Sequence, residues 1–217
     1  MQNMTKQFEQ AMDLYEIKSL MMQYVSNVHQ MDYMSSFENL MANTHPEIRF
    51  EYMESGAYIG PEHVKNYMQA LHDYMQSPVD KKGYMNLNHC ITPNIIINES
   101  RTRAYGHWAV LSPWAMPATP YPCDERMLTA MWFTGKYENE FIRIDDEWKI
   151  LKIHLIAYTR APYELGWVRQ ADAMRIPPMH GIIPDESPRY YTYHPDCMYE
   201  SGNIYNWGPF LPEDKNF

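Results

Sequence analysis

Cysteine is scarce in this chain. Three residues, Cys90, Cys123 and Cys197, are spread over 217 positions. Their number is odd and no CxxC pair occurs, which argues against a disulfide framework and against a structural zinc site. Positive charge is scarce as well. Eighteen Lys and Arg stand against 27 Asp and Glu, for a net charge of -9. No basic cluster is dense enough to track a phosphate backbone, so no nucleic-acid partner is expected. No apolar run reaches the length of a membrane span, and the N-terminus lacks the basic-then-apolar order of a signal peptide. The expectation is therefore no membrane partner and a cytoplasmic location. GxGxxG, P-loop and HExxH patterns are missing too, so the expected chemistry uses no cofactor and no metal.

What the chain does have is 45% apolar and 21% charged residues, a balance normal for a globular protein. Its length suits one domain, or one domain with an extension. It is unusually rich in Met and Tyr, with 18 of each. Met fills irregular apolar space, and Tyr offers an apolar body with a polar tip. Two readings fit: a compositional bias, or a roomy cavity for a flat, partly polar ligand.

Residues 5–29 carry apolar side chains at three- and four-residue steps and read as a long helix. A short helix is expected over about 35–43, capped by Ser35 or Ser36. Residues 47–53 alternate and read as a strand. Gly60 and Pro61 open a third helix that runs to about Met75. Four long strands should follow over 84–98, 101–111, 126–144 and 147–159, with a Pro-rich loop over 112–122 and a hairpin at Asp145-Asp146-Glu147. A short helix is expected over Tyr163–Ala173. Beyond Ile176 come many prolines and aromatic rings, too many rings for a disordered segment. Helices first and an antiparallel sheet afterwards is an α+β pattern.

Four segments, IKSLMMQYVSNVH (17–29), IRFEYMESGAYIGPEHV (48–64), NHCITPNIIIN (88–98) and WKILKIHLIAYTR (148–160), in this order and spacing, resemble the SnoaL-like branch of the nuclear transport factor 2-like superfamily. The resemblance covers about residues 10–160 and is closest to scytalone dehydratases and bile-acid 7α-dehydratases. It implies a cystatin-like cone: a curved antiparallel sheet packed on N-terminal helices, as a domain over 1–160. The aromatic- and Pro-rich extension 161–217 would pack over the cavity mouth or on a neighbouring subunit. A homo-oligomer, dimer or trimer, is expected.

The resemblance also implies roles. His89 takes the place of the acid/base histidine, Tyr24 that of a helix tyrosine and Tyr52 that of a strand tyrosine. The aspartate that orients the histidine is replaced here by His29, with Asp32 three residues on. The second acid/base position of the next strand falls at about Ser112 or Pro113. Independently of any family, removing water β to a carbonyl needs a base, a carbonyl polariser and an acid. One histidine can serve as both base and acid, and phenols in a dry pocket can hold the oxygen. The expected function is a cofactor-independent dehydratase or isomerase acting on a cyclic or aromatic hydroxy-ketone-like molecule. Its catalytic residues would be His89, Tyr24, His29 and Asp32, and its substrate-binding residues Tyr52, His107 and Trp108. A non-catalytic binding protein of the same fold and a small subunit of a ring-hydroxylating oxygenase remain the alternatives. A metal held by His89, His107 and His154 is a minor one. Cys90 should face away from His89, because adjacent strand residues point to opposite faces.

Overall fold

A computed structural model of the chain describes residues 2–76, 84–117, 128–169 and 182–186. Helix α1 runs over Gln2–His29. In its second half Ile17, Met21, Tyr24, Val25 and Val28 are buried, one stripe at helical spacing. Met31 (φ 60°) then breaks the helix, and Asp32 caps the next one. Helix α2 therefore spans Tyr33–Asn39, three residues earlier than a Ser35 cap predicts. The Asp32 carboxylate accepts from the Ser35 backbone N–H (3.1 Å) and hydroxyl (2.6 Å). Helix α3, Pro61–Gln76, starts on proline as expected and buries Val64, Tyr67, Met68, Leu71 and Met75.

The strands are β1 Arg49–Tyr52, β2 Ala57–Ile59, β3 Met85–Asn86, β4 His89–Ile97, β5 Arg103–Pro117, β6 Leu128–Ile144 and β7 Glu147–Pro162. They form one sheet in the order β2-β1-β7-β6-β5-β3, with β4 also pairing with β5. The sheet is mixed rather than purely antiparallel, because β1 runs parallel to β7. The core lies between the helices and one face of this sheet. Asp145 and Asp146 both adopt positive φ, the geometry of a tight hairpin between β6 and β7.

Two expectations about proline and strand length change. The segment Ser112–Pro117 is strand, not loop, and Pro113 pairs with Trp132. Leu87 N–H donates to the Pro113 carbonyl, so the side of Pro113 that lacks an N–H faces the gap between β3 and β4. There it costs no ladder bond. The single predicted strand over 84–98 is split in two at that same gap. The rest of the expected loop, the helix beyond Arg169 (α4 is Gly166–Arg169) and most of the C-terminal extension lie outside the described residues. Residues 182–186 are seen: Ala57 N–H donates to the Glu186 carbonyl (3.0 Å), and Asp185 N–H to the Ala57 carbonyl (2.9 Å).

One buried carboxylate pins α1 to the sheet. Asp13 accepts from Arg101 (2.5 and 3.1 Å), Arg143 (2.9 Å) and the Trp148 indole (3.1 Å). These donors come from the β4–β5 turn and from both sides of the β6–β7 hairpin. Burial alone would raise the Asp13 pKa. The hydrogen bonds from Arg101 and Trp148 and the two guanidinium charges outweigh it and hold the carboxyl below the usual range. A folded pKa below the unfolded one means stability that is present above about pH 4 and lost as pH falls through the folded value. Asp13→Asn should cost about 3 kcal/mol in urea unfolding at pH 7. That is the low end for a broken buried pair, because both arginines stay partly in water. The variant should also lose part of the acid-induced fall in stability below pH 4.

Candidate functional site

The inward face of the sheet, closed by the helices, gathers hydrogen-bonding groups. Tyr24 on α1 meets Tyr137 on β6 edge-on, with ring centroids 6.0 Å apart. Tyr33 on α2 faces Tyr52 on β1 and Asn86 on β3. The Asn88 amide donates to Asn86 Oδ1 (3.3 Å). Trp114, the cross-strand partner of Asn86, stacks on Phe133 at 4.8 Å. Arg160 is the partner of Phe133 in the β6–β7 ladder, so it shares the inward face, and it is fully buried. Burial raises the pKa of Tyr24, Tyr33 and Tyr137, so their phenols remain proton donors. It also pushes the Cys90 thiol up to about 12. The Trp114 indole N–H and Asn88 Oδ1 are buried with no hydrogen-bond partner, and the hydroxyls of Tyr24 and Tyr33 make no well-formed bond, although Tyr137 stands beside the first and Tyr52 and Asn86 beside the second. Buried polar atoms are seldom left so, because each costs about 1–3 kcal/mol. Three donors and one acceptor are thus set in an interior that also holds a guanidinium.

The expected site residues divide between places. Tyr24 and Tyr52 line the interior together. His89 does not join them: it is exposed, and Cys90 faces the core instead. The cause is a β-bulge. The β4–β5 register shifts between Ile91 and Asn94, and Thr92 takes φ 49°. Ile95 and Ile97 face the core, as uniform alternation from an inward His89 would require. One extra residue, however, reverses the phase of everything before it. His29 lies with His89 along a cleft of about 360 Å³ between α1 and β4, which Cys90 also borders. Its Nε2 accepts the Asn88 backbone N–H (2.8 Å), so it anchors the strand entry, and no bond to His89 is seen. Asp32 is an N-cap with His72 at 3.5 Å, and it does not orient His89. His107 sits on the outward face, while its neighbour Trp108 packs inward against Phe141 (6.0 Å) as core. Tyr33, Tyr137, Asn86, Asn88, Trp114 and Arg160 were not singled out in the sequence. The alternation of Asn86, Asn88 and Cys90, and an arginine closing an apolar strand, were the available signals.

The solved structures similar to this chain share one architecture. A hexachlorocyclohexane dehydrochlorinase, LinA-type3 from Novosphingobium barchaimii LL02, matches with TM-score 0.53 and 15% identity over 72% of this chain and 93% of its own. A candidate scytalone dehydratase from Novosphingobium aromaticivorans DSM 12444 gives 0.52 and 15%, over 75% and 93%. A nuclear transport factor 2-like protein from Salmonella enterica serovar Typhimurium LT2 gives 0.50 and 13%, over 68% and 92%. The fold is that of the nuclear transport factor 2-like superfamily. At these identities the likeness shows the fold alone. No protein-family model and no curated protein matches the sequence. Among the described residues, no helix is long and apolar enough to cross a membrane, and no group of His, Cys, Asp and Glu is arranged to hold a metal.

On the outward face of this nuclear transport factor 2-like sheet, a row of ionisable side chains crosses four strands. His107 on β5 pairs with Glu138 on β6. His154 on β7 stands 4.0 Å from Glu138 and 3.4 Å from Glu51 on β1. Lys136 contacts Glu138 (2.5 Å), and Arg49 contacts Glu51 (3.1 Å). Glu51 and His154 are fully buried. Burial, then the Lys136 charge, lowers the His107 pKa to about 4. Its unfolded value is about 6.5, so the unfolded chain binds more protons between these limits. Stability should fall as pH drops from about 6.5 towards 4. Urea midpoints measured across that range should fall less for His107→Gln than for wild type.

Proposed function

We propose that the chain binds a cyclic or aromatic, hydroxy-ketone-like small molecule inside the cone and polarises its carbonyl oxygen. The observation that carries this is the set of buried donors, Tyr24 OH, Tyr33 OH and Trp114 N–H, none of them in a well-formed hydrogen bond, with Asn88 Oδ1 as an acceptor beside them. A carbonyl oxygen satisfies the donors and a ligand hydroxyl satisfies the amide. Raised phenol pKa values keep the donors protonated across the physiological range. Arg160 on the same face favours negative charge building up on that oxygen.

A second reading, lyase or isomerase chemistry in the same pocket, is supported by the cleft that holds His29 and His89. Cys90 lies between that cleft and the Tyr24–Tyr137 pair. Among the described residues no imidazole faces the interior, and its buried carboxylate, Asp13, is taken up by Arg101, Arg143 and Trp148. A base would have to act through this side. The dehydrochlorinase and candidate dehydratase of like fold agree with an elimination, at the level of fold only.

Both readings are tested with one set of variants. Hydroxy-ketones would be titrated against wild type and Tyr24→Phe/Tyr33→Phe by quenching of tryptophan fluorescence. The double variant should bind at least about 10-fold more weakly. Its stability should stay within about 1 kcal/mol of wild type, because neither hydroxyl makes a well-formed bond to the protein. Equal binding by both proteins would remove the phenols from the site. Turnover of the same compounds by wild type, lost in His89→Ala or His29→Ala, would establish the second reading. Binding without turnover would establish the first.

A further inference from the structure

The first three turns of α1 make a surface that the other described residues leave largely uncovered. Residues 4–12 are exposed on every side of the helix. Short helical ends of this kind gain little stability alone, and packing normally supplies the rest. Met4, Phe8, Met12, Tyr15 and Met22 are 40–72% exposed. They fall within one stripe, and Phe8, Tyr15 and Met22 repeat at heptad spacing. Beside the middle of the stripe lies a groove of about 380 Å³, lined among others by Tyr15, Glu16, Ser19, Asp146, Glu147 and Lys149.

We propose that this stripe is the interface with a second copy of the chain, paired antiparallel about a two-fold axis near Ala11. With Phe8 of one copy opposite Tyr15 of the other, Met4 falls opposite Ser19. Both apolar side chains then enter the groove of the other copy, twice by symmetry. A parallel pairing would set Phe8 on Phe8 and Tyr15 on Tyr15, and would leave the groove empty. Side chains of this size expose roughly 200 Å² each. At the observed exposures the stripe offers roughly 600 Å² per copy, so two copies bury roughly 1,200 Å² before the groove walls count. That reaches the lower bound of stable interfaces.

The test is the mass of the full chain by sedimentation, wild type against Phe8→Asp, with circular dichroism to confirm the fold. Wild type should be a dimer, or a larger even assembly. Phe8→Asp should raise the dissociation constant by about 30-fold or more, or halve the assembly. A wild type that is monomeric at ~100 µM, or an assembly that Phe8→Asp leaves unchanged, overturns the proposal. Direction is read separately, from disulfides mapped by peptide mass. A mixture of Phe8→Cys and Tyr15→Cys proteins should cross-link between these two positions. Cross-linking of Phe8→Cys to itself would overturn the antiparallel register.

Discussion

Alternation along the long strands sorts this chain into two chemistries, and a single bulge sets which residue of β4 goes where. Side chains on β5, β6 and β7 point by turns to the helices and away from them. Inward go Trp108, Trp114, Phe133, Tyr137 and Arg160. Outward go His107, Lys136, Glu138 and His154. Aromatic bulk and hydrogen-bond donors therefore line the interior, while the titrating ion pairs stand on the opposite face. The bulge at Thr92 completes the separation by turning His89 outward and Cys90 inward. The imidazoles of His89, His107 and His154 are thereby kept away from most groups suited to holding an oxygen.

The clamp on Asp13 determines how that interior is closed. It joins three separate stretches of chain to α1, and α1 carries Tyr24 three turns further on. A rise of about 1.5 Å per residue places the phenol about 16 Å along the axis from the carboxylate. The helix is thus fixed near one end of its buried half by charge, and near the other by His29, which holds the Asn88 backbone. Tyr24 stands between the two anchors. Its ring is buried edge-on against Tyr137 and its hydroxyl makes no well-formed bond, so packing along the helix does most to hold it in place.

How much of this could be read from the sequence follows from the range of each interaction. Helices α1 and α3 were legible because their apolar stripes repeat over many turns, and α3 also has Pro61 at its start. The four long strands were legible from composition and turn residues. The order of the pieces was enough to suggest the cone. Local competition was harder to see. Asp32 outbids Ser35 as a cap because its carboxylate accepts from two groups of Ser35 at once. Pro113 reads as loop until its carbonyl-bearing edge is found to face a gap in the sheet. The site was legible in part. Tyr24 and Tyr52 share the interior as expected. His89 does not, because a one-residue bulge leaves no composition signal yet reverses a face. Arg160 and Tyr137 need the register of two strands before they can be placed at all.

The departure already visible in the sequence, a histidine where the resembling dehydratases have an aspartate, has a structural counterpart. A backbone N–H can only donate, so His29 Nε2 must accept from Asn88, and the ring proton sits on Nδ1. The same Nε2 lies 3.1 Å from the Asn88 carbonyl. Protonation would exchange one partner for the other without releasing the loop. An aspartate there could accept the N–H but would be repelled by the carbonyl. Histidine at position 29 thus suits an anchor for the Asn86–Asn88 segment in either protonation state, and that segment carries the amides of the interior. The position that a dehydratase would use to set its base serves here to hold the segment that carries the interior amides. This is why binding, with the carbonyl held by phenols, comes ahead of elimination as the reading of the site.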